Sequence, residues 1–367
     1  MIDRRAFLAM AGAAALPLSA SAQAPKRMLI VNALGGLGDP NVQEEPDRRR
    51  LADRVIADAR ASGLNAVNVT MGYVAGDEEP FEQSVREIAR WDARLRDRPA
   101  DLLKVLTAAD ILRARDENRI GIIYGFQNAA MMGRDSSRVE TFADLGVRVI
   151  QLTYNPANSL GDGAMAPGNR GLTPFGREVV ERLNAARVMV DLSHSGERTC
   201  LEAAHASRRP ISINHTGCRA LVDLPRNKTD AELRLVASRG GFVGIYFMPF
   251  LDRRSVASAD DVVRHIHHAV DVCGEDHVGI GTDGGTTGVD DTAAYRAVIR
   301  EEIAQRHAAG IGARGENPDT LPFVEDLSGP GQFHRLITLL ERRRYPARRI
   351  EKIMGLNFVS YAREIWG

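Results

Sequence analysis

Cysteine is scarce in this chain of 367 residues, and its spacing excludes two kinds of site. The three cysteines, Cys200, Cys218 and Cys273, form no Cys-x-x-Cys pair. A zinc knuckle and a thioredoxin-type motif are therefore excluded, and an odd, sparse count provides no disulfide framework. We expect all three thiols to pack as small apolar side chains in the core.

An excess of charge is also missing, because 48 Lys and Arg residues balance 48 Asp and Glu residues. A nucleic-acid-binding domain usually has a basic excess or stripe, so no nucleic-acid partner is expected. The short basic run at 342–344 is typical of a solvated helix face. No internal repeat is present, which excludes solenoid folds.

Long apolar runs are absent apart from a short one near the start of the chain. Residues 6–18 are almost wholly apolar and follow Arg4 and Arg5, but they are too few to span a bilayer. Residues 3–8 resemble the twin-arginine export motif, with an ordinary Sec signal or a chance arginine pair as the alternative. We predict an export signal at 1–24 and a single domain at 25–367, periplasmic or secreted, without a membrane span.

The rest of the chain predicts eight strands that alternate with helices. Apolar and β-branched runs are separated by segments with apolar residues at three- and four-residue spacing. This alternation is typical of parallel strands buried on both faces. We predict an α/β fold, a single eight-stranded parallel β/α barrel of the TIM type, with a doubly wound open sheet as the alternative. The predicted strands are Met28–Leu34, Ala66–Met71, Ile120–Phe126, Val147–Thr153, Val188–Ser193, Pro210–Asn214, Phe242–Phe247 and His277–Thr282.

Two apolar segments of the chain are predicted as helices by their periodicity. Leu102–Arg113 has apolar residues at helical spacing, and so does Val262–Cys273. The second contains His265–His268, which looks like a metal cluster. Because it falls on a helix far from the strand ends, we interpret it as a solvated face.

Polar side chains follow several predicted strands, and active sites of barrels lie at those strand ends. His194, His215 and Asp283 come after the fifth, sixth and eighth strands. Two imidazoles and a carboxylate at one mouth are convergent groups of metal-ligand type. The remaining candidates, after the third and fourth strands, are Gln127, Tyr154 and Asn155.

Several motifs resemble those of the membrane (renal) dipeptidase family of zinc peptidases. They are Asp191–His194, Ile213–Thr216, Pro225–Asn227 and Gly279–Asp283, in the family's order. The resemblance runs from about residue 28 to the end of the chain. It implies a β/α barrel, often a homodimer, that hydrolyses dipeptides with two zinc ions.

The resemblance also implies roles for individual residues. His194 and His215 match the two histidine ligands of one zinc ion, and Asp283 matches the aspartate that handles the proton. Arg226 matches the arginine that binds the substrate carboxylate, with an ion pair to Asp230 as the alternative. We place Gln127 and Asn155 among the substrate contacts.

Other family positions are altered. The His-x-Asp pair of the first strand falls on Leu34 and Gly36, and the whole chain has no histidine before residue 194. The glutamate that bridges the two zinc ions falls on Gln127. The histidine that supports the oxyanion falls on Tyr154, which either donates its hydroxyl or only packs in the pocket.

Charge decides what these changes imply for zinc. Two ions bring four positive charges, and of the family's carboxylates only Asp283 remains, so the two-ion site is expected to be absent. We predict one zinc ion held by His194, His215 and Asp283, in preference to two, with no ion as a further alternative. Asp39 or Asp162 could restore a carboxylate.

Two functions follow from this sequence. The first is a metal-dependent dipeptidase-like hydrolase that cleaves dipeptides or a related small amide at a reduced site. The alternative is a catalytically silent barrel that binds a small peptide or another carboxylate.

Overall fold

The computed structural model describes residues 28–42 and 49–367. The predicted export signal at 1–24 lies outside the described residues. Within the described ranges, no helix combines the length and the apolar character needed to cross a bilayer.

Eight parallel strands form a nearly closed barrel, which confirms the predicted fold class. The barrel order is β1-β2-β4-β5-β6-β7-β8-β9, and the short β3 pairs with the start of β4. β3 and β5 pair with the start and the end of the same edge of β4. β3 therefore does not add a ninth strand to the barrel. The strands are β1 Val31–Gly35, β2 Ala66–Thr70, β3 Leu102–Lys104, β4 Ile120–Phe126, β5 Val147–Gln151, β6 Met189–Asp191, β7 Ser212–Thr216, β8 Phe242–Ile245 and β9 Val278–Ile280.

The barrel closes between β9 and β1 through a few hydrogen bonds. The backbone N–H of Asp283 donates to the Leu34 carbonyl at 3.0 Å, and that of Gly36 donates to Gly284 at 3.1 Å. This contact places the segment after β9 against the end of β1, so Asp283 lies at the seam of the barrel mouth.

Helices surround the barrel, and one predicted helix begins too early. Leu102–Lys104 forms β3, and the helix starts only at Ala108, after a capping box of Thr107 with Asp110. The prediction was wrong there because a short buried apolar run fits either a strand or a helix. The helices are α1 Asp53–Ala61, α2 Pro80–Asp97, α3 Ala108–Asp116, α4 Arg138–Asp144, α5 Pro174–Ala185, α6 Glu197–Ala206, α7 Asp230–Ser238, α8 Ala259–Cys273, α9 Thr292–Ala308, α10 Gln332–Arg342, α11 Ala347–Glu351 and α12 Asn357–Trp366.

The core blocks one end of the barrel and leaves the other open. A smaller core cluster joins Val31, Val149 and Met189 of the strands with Phe358 and Trp366 of α12. Val31 and Met189 are the first residues of β1 and β6, so α12 covers the amino end of the barrel. The three cysteines are buried and free, as expected.

Candidate active site at the carboxyl end of the barrel

Three predicted side chains meet at the open end. His194 follows β6, His215 lies on β7 and Asp283 follows β9. The two imidazole centroids are 4.9 Å apart, and His215 Nε2 is 4.0 Å from Asp283 Oδ2. Both histidines are buried, whereas the Asp283 side chain is 22% exposed.

His194 has a hydrogen-bond partner at each ring nitrogen. Nδ1 is 2.8 Å from Asn155 Oδ1, and Nε2 is 3.0 Å from Nη2 of Arg226. Since a guanidinium only donates, we assign Nε2 as the acceptor and Nδ1 as the protonated nitrogen. Burial, together with the charge of Arg226, lowers the pKa of His194 well below its ordinary value, so the ring is neutral.

Arg226 is a buried cation that points into the mouth. Its Nη1 donates to the Ser193 carbonyl at 2.6 Å, and its guanidinium lies 6.0 Å from the Tyr246 ring centroid. Asp230 instead pairs with His268 Nε2 at 2.8 Å. The alternative of an Arg226–Asp230 ion pair is therefore wrong.

A buried ion pair fixes the loop that carries Arg226. Lys228 Nζ lies 3.1 Å from Glu232 Oε1, with both side chains 1% exposed. Lys228 also donates to the Ser195 carbonyl, and Glu232 forms a capping box with Thr229 at the start of α7. These contacts tie the loops after β6 and β7 together beneath the mouth.

His215 differs from His194 because neither of its ring nitrogens has a hydrogen-bond partner among the described residues. Asn214 beside it likewise lacks a partner for both side-chain polar atoms. An unpaired buried polar group costs about 1–3 kcal/mol. His215 lies 4.0 Å from Asp283, which borders a cavity, so its free ring nitrogens indicate a position for water or a ligand.

Asp283 and Tyr154 have altered pKa values. Burial raises the pKa of Asp283 to about 6, although the charge of Arg226 opposes the rise. Burial and the charge of Asp283 raise the pKa of Tyr154 to about 12. The Tyr154 ring stacks on His194 with centroids 4.3 Å apart. The ring therefore packs in the pocket, and its hydroxyl keeps its proton at neutral pH.

We call Asn155, His194, His215 and Arg226 the histidine side of the mouth. Asn155 donates through Nδ2 to the Ile311 carbonyl at 2.9 Å while its Oδ1 faces His194. Both ends of this amide are engaged, so Asn155 positions His194, and its predicted contact with substrate stays a prediction.

We call Leu34, Gly36, Thr70 and Gln127 the glycine side. Leu34 is buried, and a cavity of about 370 Å³ opens beside Gly36, Thr70 and Asp283. Gln127 Nε2 donates to Thr70 Oγ1 at 2.6 Å. This side offers no carboxylate or imidazole at the altered family positions.

The two carboxylates proposed as replacements are engaged elsewhere. Asp162 Oδ2 accepts from the Arg170 backbone at 2.6 Å, and its Oδ1 accepts from the Arg170 guanidinium at 2.8 Å. Asp39 accepts from Asn41 and lies 3.9 Å from Arg54.

The donor set does not fit a zinc site with three protein ligands. Such a site is the usual catalytic arrangement. His215 and Asp283 offer two donors, but His194 Nε2 is held by Arg226. In the described ranges, no three His, Cys, Asp or Glu side chains are grouped to hold a metal ion.

A second cavity, of about 350 Å³, lies next to Asp283 and was missed from the sequence. Its apolar lining includes Phe247, Tyr295, Phe323 and Leu327. Two of these rings, Tyr295 and Phe323, have centroids 5.8 Å apart. The segment after β9 supplies most of this lining without a regular pattern, so no periodic signal marks it.

The prediction that His265–His268 forms a solvated face is wrong for His265, which is buried. Its Nδ1 accepts from the Cys218 backbone at 2.9 Å, and its Nε2 is 3.1 Å from the Leu251 carbonyl. The residue is buried because it shares the inward stripe of α8 with Val262 and Ala269.

The comparisons with known proteins agree with this architecture. A profile described as Membrane dipeptidase (Peptidase family M19) matches residues 56–311. The chain is 28% identical over 262 residues to Dipeptidase tcpJ of Claviceps purpurea, which covers 70% of this chain and 54% of that protein. The chain thus spans about half the length of that curated relative.

Solved structures extend the likeness to nearly the whole chain. An amidohydrolase from Pseudomonas aeruginosa has 30% identity and a TM-score of 0.79, covering 93% of this chain and 97% of that one. A metallo peptidase from Rhodobacter sphaeroides, solved with a phosphinate mimic of the dipeptide L-Ala-D-Ala, shares the fold at 17% identity. Its TM-score is 0.73, with 93% and 100% of the two chains covered. Since the family profile matches well over half of the sequence, this chain belongs to the membrane dipeptidase family of peptidases.

Proposed function

We propose that this protein hydrolyses dipeptides, or closely related small amides, that carry a free carboxylate. Family membership supports hydrolase chemistry, and one observation in the mouth carries the proposal. Asp283 and the unpartnered His215 face each other across 4.0 Å, and the buried Arg226 contributes a positive charge to the same mouth.

Arg226 is the group that binds the substrate carboxylate. One N–H on each terminal nitrogen is used, by Ser193 and His194. A guanidinium has five N–H donors, so each terminal nitrogen retains a second one for a bidentate contact with a carboxylate. The cavity lined by Tyr295 and Phe323 accepts an apolar substrate side chain.

A water molecule between Asp283 and His215 is the nucleophile. Two polar atoms 4.0 Å apart can share one water at ordinary hydrogen-bond lengths of about 2.8 Å. Asp283 removes a proton as the water oxygen attacks the amide carbon, and it returns that proton to the leaving amine. The Tyr154 hydroxyl donates to the oxygen that becomes negative. These reaction steps use only water and residues of the chain.

A dipeptide panel tests the proposal. The predicted domain 25–367, called the mature chain below, is incubated with L-L and L-D dipeptides and with their C-terminal amides, and released amino acids are quantified. We expect turnover of free-carboxylate substrates and loss of turnover in Asp283→Asn. Asp223→Asn is a matched control, because that side chain is 93% exposed. Saturable binding without turnover of any substrate would favour the silent-binder alternative.

Export and homodimer formation are also proposals, and the single zinc ion predicted from the sequence stays a prediction. Zinc dependence is measured by repeating the same dipeptide assays after chelator treatment of the protein. Export through a twin-arginine signal predicts that Arg4→Lys/Arg5→Lys retains the protein inside the cell. Sedimentation equilibrium of the mature chain measures its oligomeric state.

A further inference from the structure

We infer that the guanidinium of Arg226 replaces a metal ion at His194, so that this mouth binds no zinc at that histidine. The inference rests on the proposed function only for the location of the site. It reverses the single-zinc prediction made from the sequence.

The contacts of His194 are the first argument. A metal would need the lone pair of Nε2, because Nδ1 carries a proton toward Asn155. Nη2 of Arg226 lies 3.0 Å from Nε2 and uses that lone pair. Asn155 orients His194 as a hydrogen-bond partner orients a metal-bound histidine. Here, however, the oriented ring accepts a hydrogen bond from Arg226.

The anchoring of Arg226 is the second argument. The side chain is buried, and its Nη1 is fixed on the Ser193 carbonyl at 2.6 Å. The loop beneath it is held by the buried Lys228–Glu232 pair. Arg226 therefore cannot leave without breaking a buried contact, and a metal ion could reach His194 Nε2 only by displacing it.

The lack of compensating carboxylates is the third argument. Beside Arg226 and a divalent ion, Asp283 would be the one carboxylate of the family set. Asp39 and Asp162 have other partners, and Glu87, which lines the cavity beside Gly36, pairs with Arg90. On the glycine side, a Cβ added to Gly36 would meet nothing within 4 Å. Gly36 therefore has space for a longer side chain, but it supplies no metal-ligating group.

Zinc titration tests the inference without any substrate. Chelator-treated mature chain is titrated with zinc chloride by calorimetry, and bound metal is counted after gel filtration. We expect no stoichiometric binding at micromolar zinc in the wild type. Arg226→Met frees His194 Nε2, so we expect this variant to bind one zinc ion per chain under the same conditions, and a folded variant that binds none would overturn the inference.

The matched control is Arg254→Met, which removes the same charge from a side chain that is 83% exposed and pairs with Asp252. It should bind no more zinc than the wild type. Gly36→Asp/Gln127→Glu in the Arg226→Met background adds two carboxylates and should strengthen zinc binding further. Circular dichroism confirms folding of each variant.

Stoichiometric zinc binding by the wild type, lost in His194→Ala, would overturn the inference even if Arg226→Met failed to fold. Absence of dipeptide turnover would contradict only the proposed function, because zinc binding is measured without substrate.

Discussion

The two sides of the barrel mouth differ in how completely their side chains are engaged. On the histidine side, His194 is bonded at both nitrogens, and Arg226 is anchored on a backbone carbonyl. On the glycine side, Gly36 borders a cavity of about 370 Å³, and a Cβ added to it would meet nothing within 4 Å. The histidine side is therefore filled and anchored, whereas the glycine side is open.

The difference teaches that the two sides tolerate change unequally. A packed, charged network fails when one member is removed, because the others stay buried without a partner. A substitution on the open glycine side should cost little stability, because few contacts exist there. Five predictions test this contrast.

Asp283→Asn, at the seam between the two sides, should have the largest effect. We expect kcat/KM to fall about 10²- to 10⁴-fold, because the general base is lost. Steady-state kinetics with the best dipeptide gives the value. An equal loss in Asp223→Asn would show that the effect is not specific to the site.

Lys228→Met should destabilise the histidine side by about 3–5 kcal/mol, because it leaves Glu232 buried without its cation. Urea unfolding measures the free-energy difference. Lys104→Met, at a residue whose side chain is 27% exposed, serves as the comparison and should cost much less. Equal costs would mean that burial does not set the difference.

Arg226→Lys should raise KM about 10- to 100-fold for free dipeptides, because an ammonium cannot reproduce a bidentate guanidinium contact. The C-terminal amides should show no such rise. A similar rise for both substrate types would indicate that Arg226 acts through positioning alone.

Lowering the pH should reduce kcat/KM about tenfold per unit below pH 6. The pKa of Asp283 is raised to about 6, so the carboxylate that accepts the proton is present above that pH and lost below it. A pH–rate profile of the wild type, compared with that of Asp283→Glu, measures this fall of kcat/KM at acidic pH. A profile flat from pH 5 to 7 would contradict the assignment.

Gly36→Ala should have the smallest effect, within about 0.5 kcal/mol of the wild-type stability. Its added methyl group meets nothing within 4 Å, whereas a Cβ on Gly125 would collide with Asn68. Gly125→Ala is therefore the contrasting variant, and thermal unfolding should separate the two.

Much of the fold was predictable because it depends on local patterns. Strand and helix alternation gave the barrel, since parallel strands need crossover helices. The exception at Leu102–Lys104 is a segment too short for its periodicity to choose between strand and helix. His265 was misjudged because its inward direction depends on what α8 packs against.

The sequence by itself determined the family, the barrel and the convergence of His194, His215 and Asp283, because residues that follow parallel strands reach the same end. It also determined that no histidine precedes residue 194, which is a matter of residue type. Only the tertiary structure decided what His194 binds, since its partners Asn155 and Arg226 are 39 and 32 residues away along the chain. Hydrogen-bond pairing and desolvation depend on distances across the fold, and no local pattern contains them.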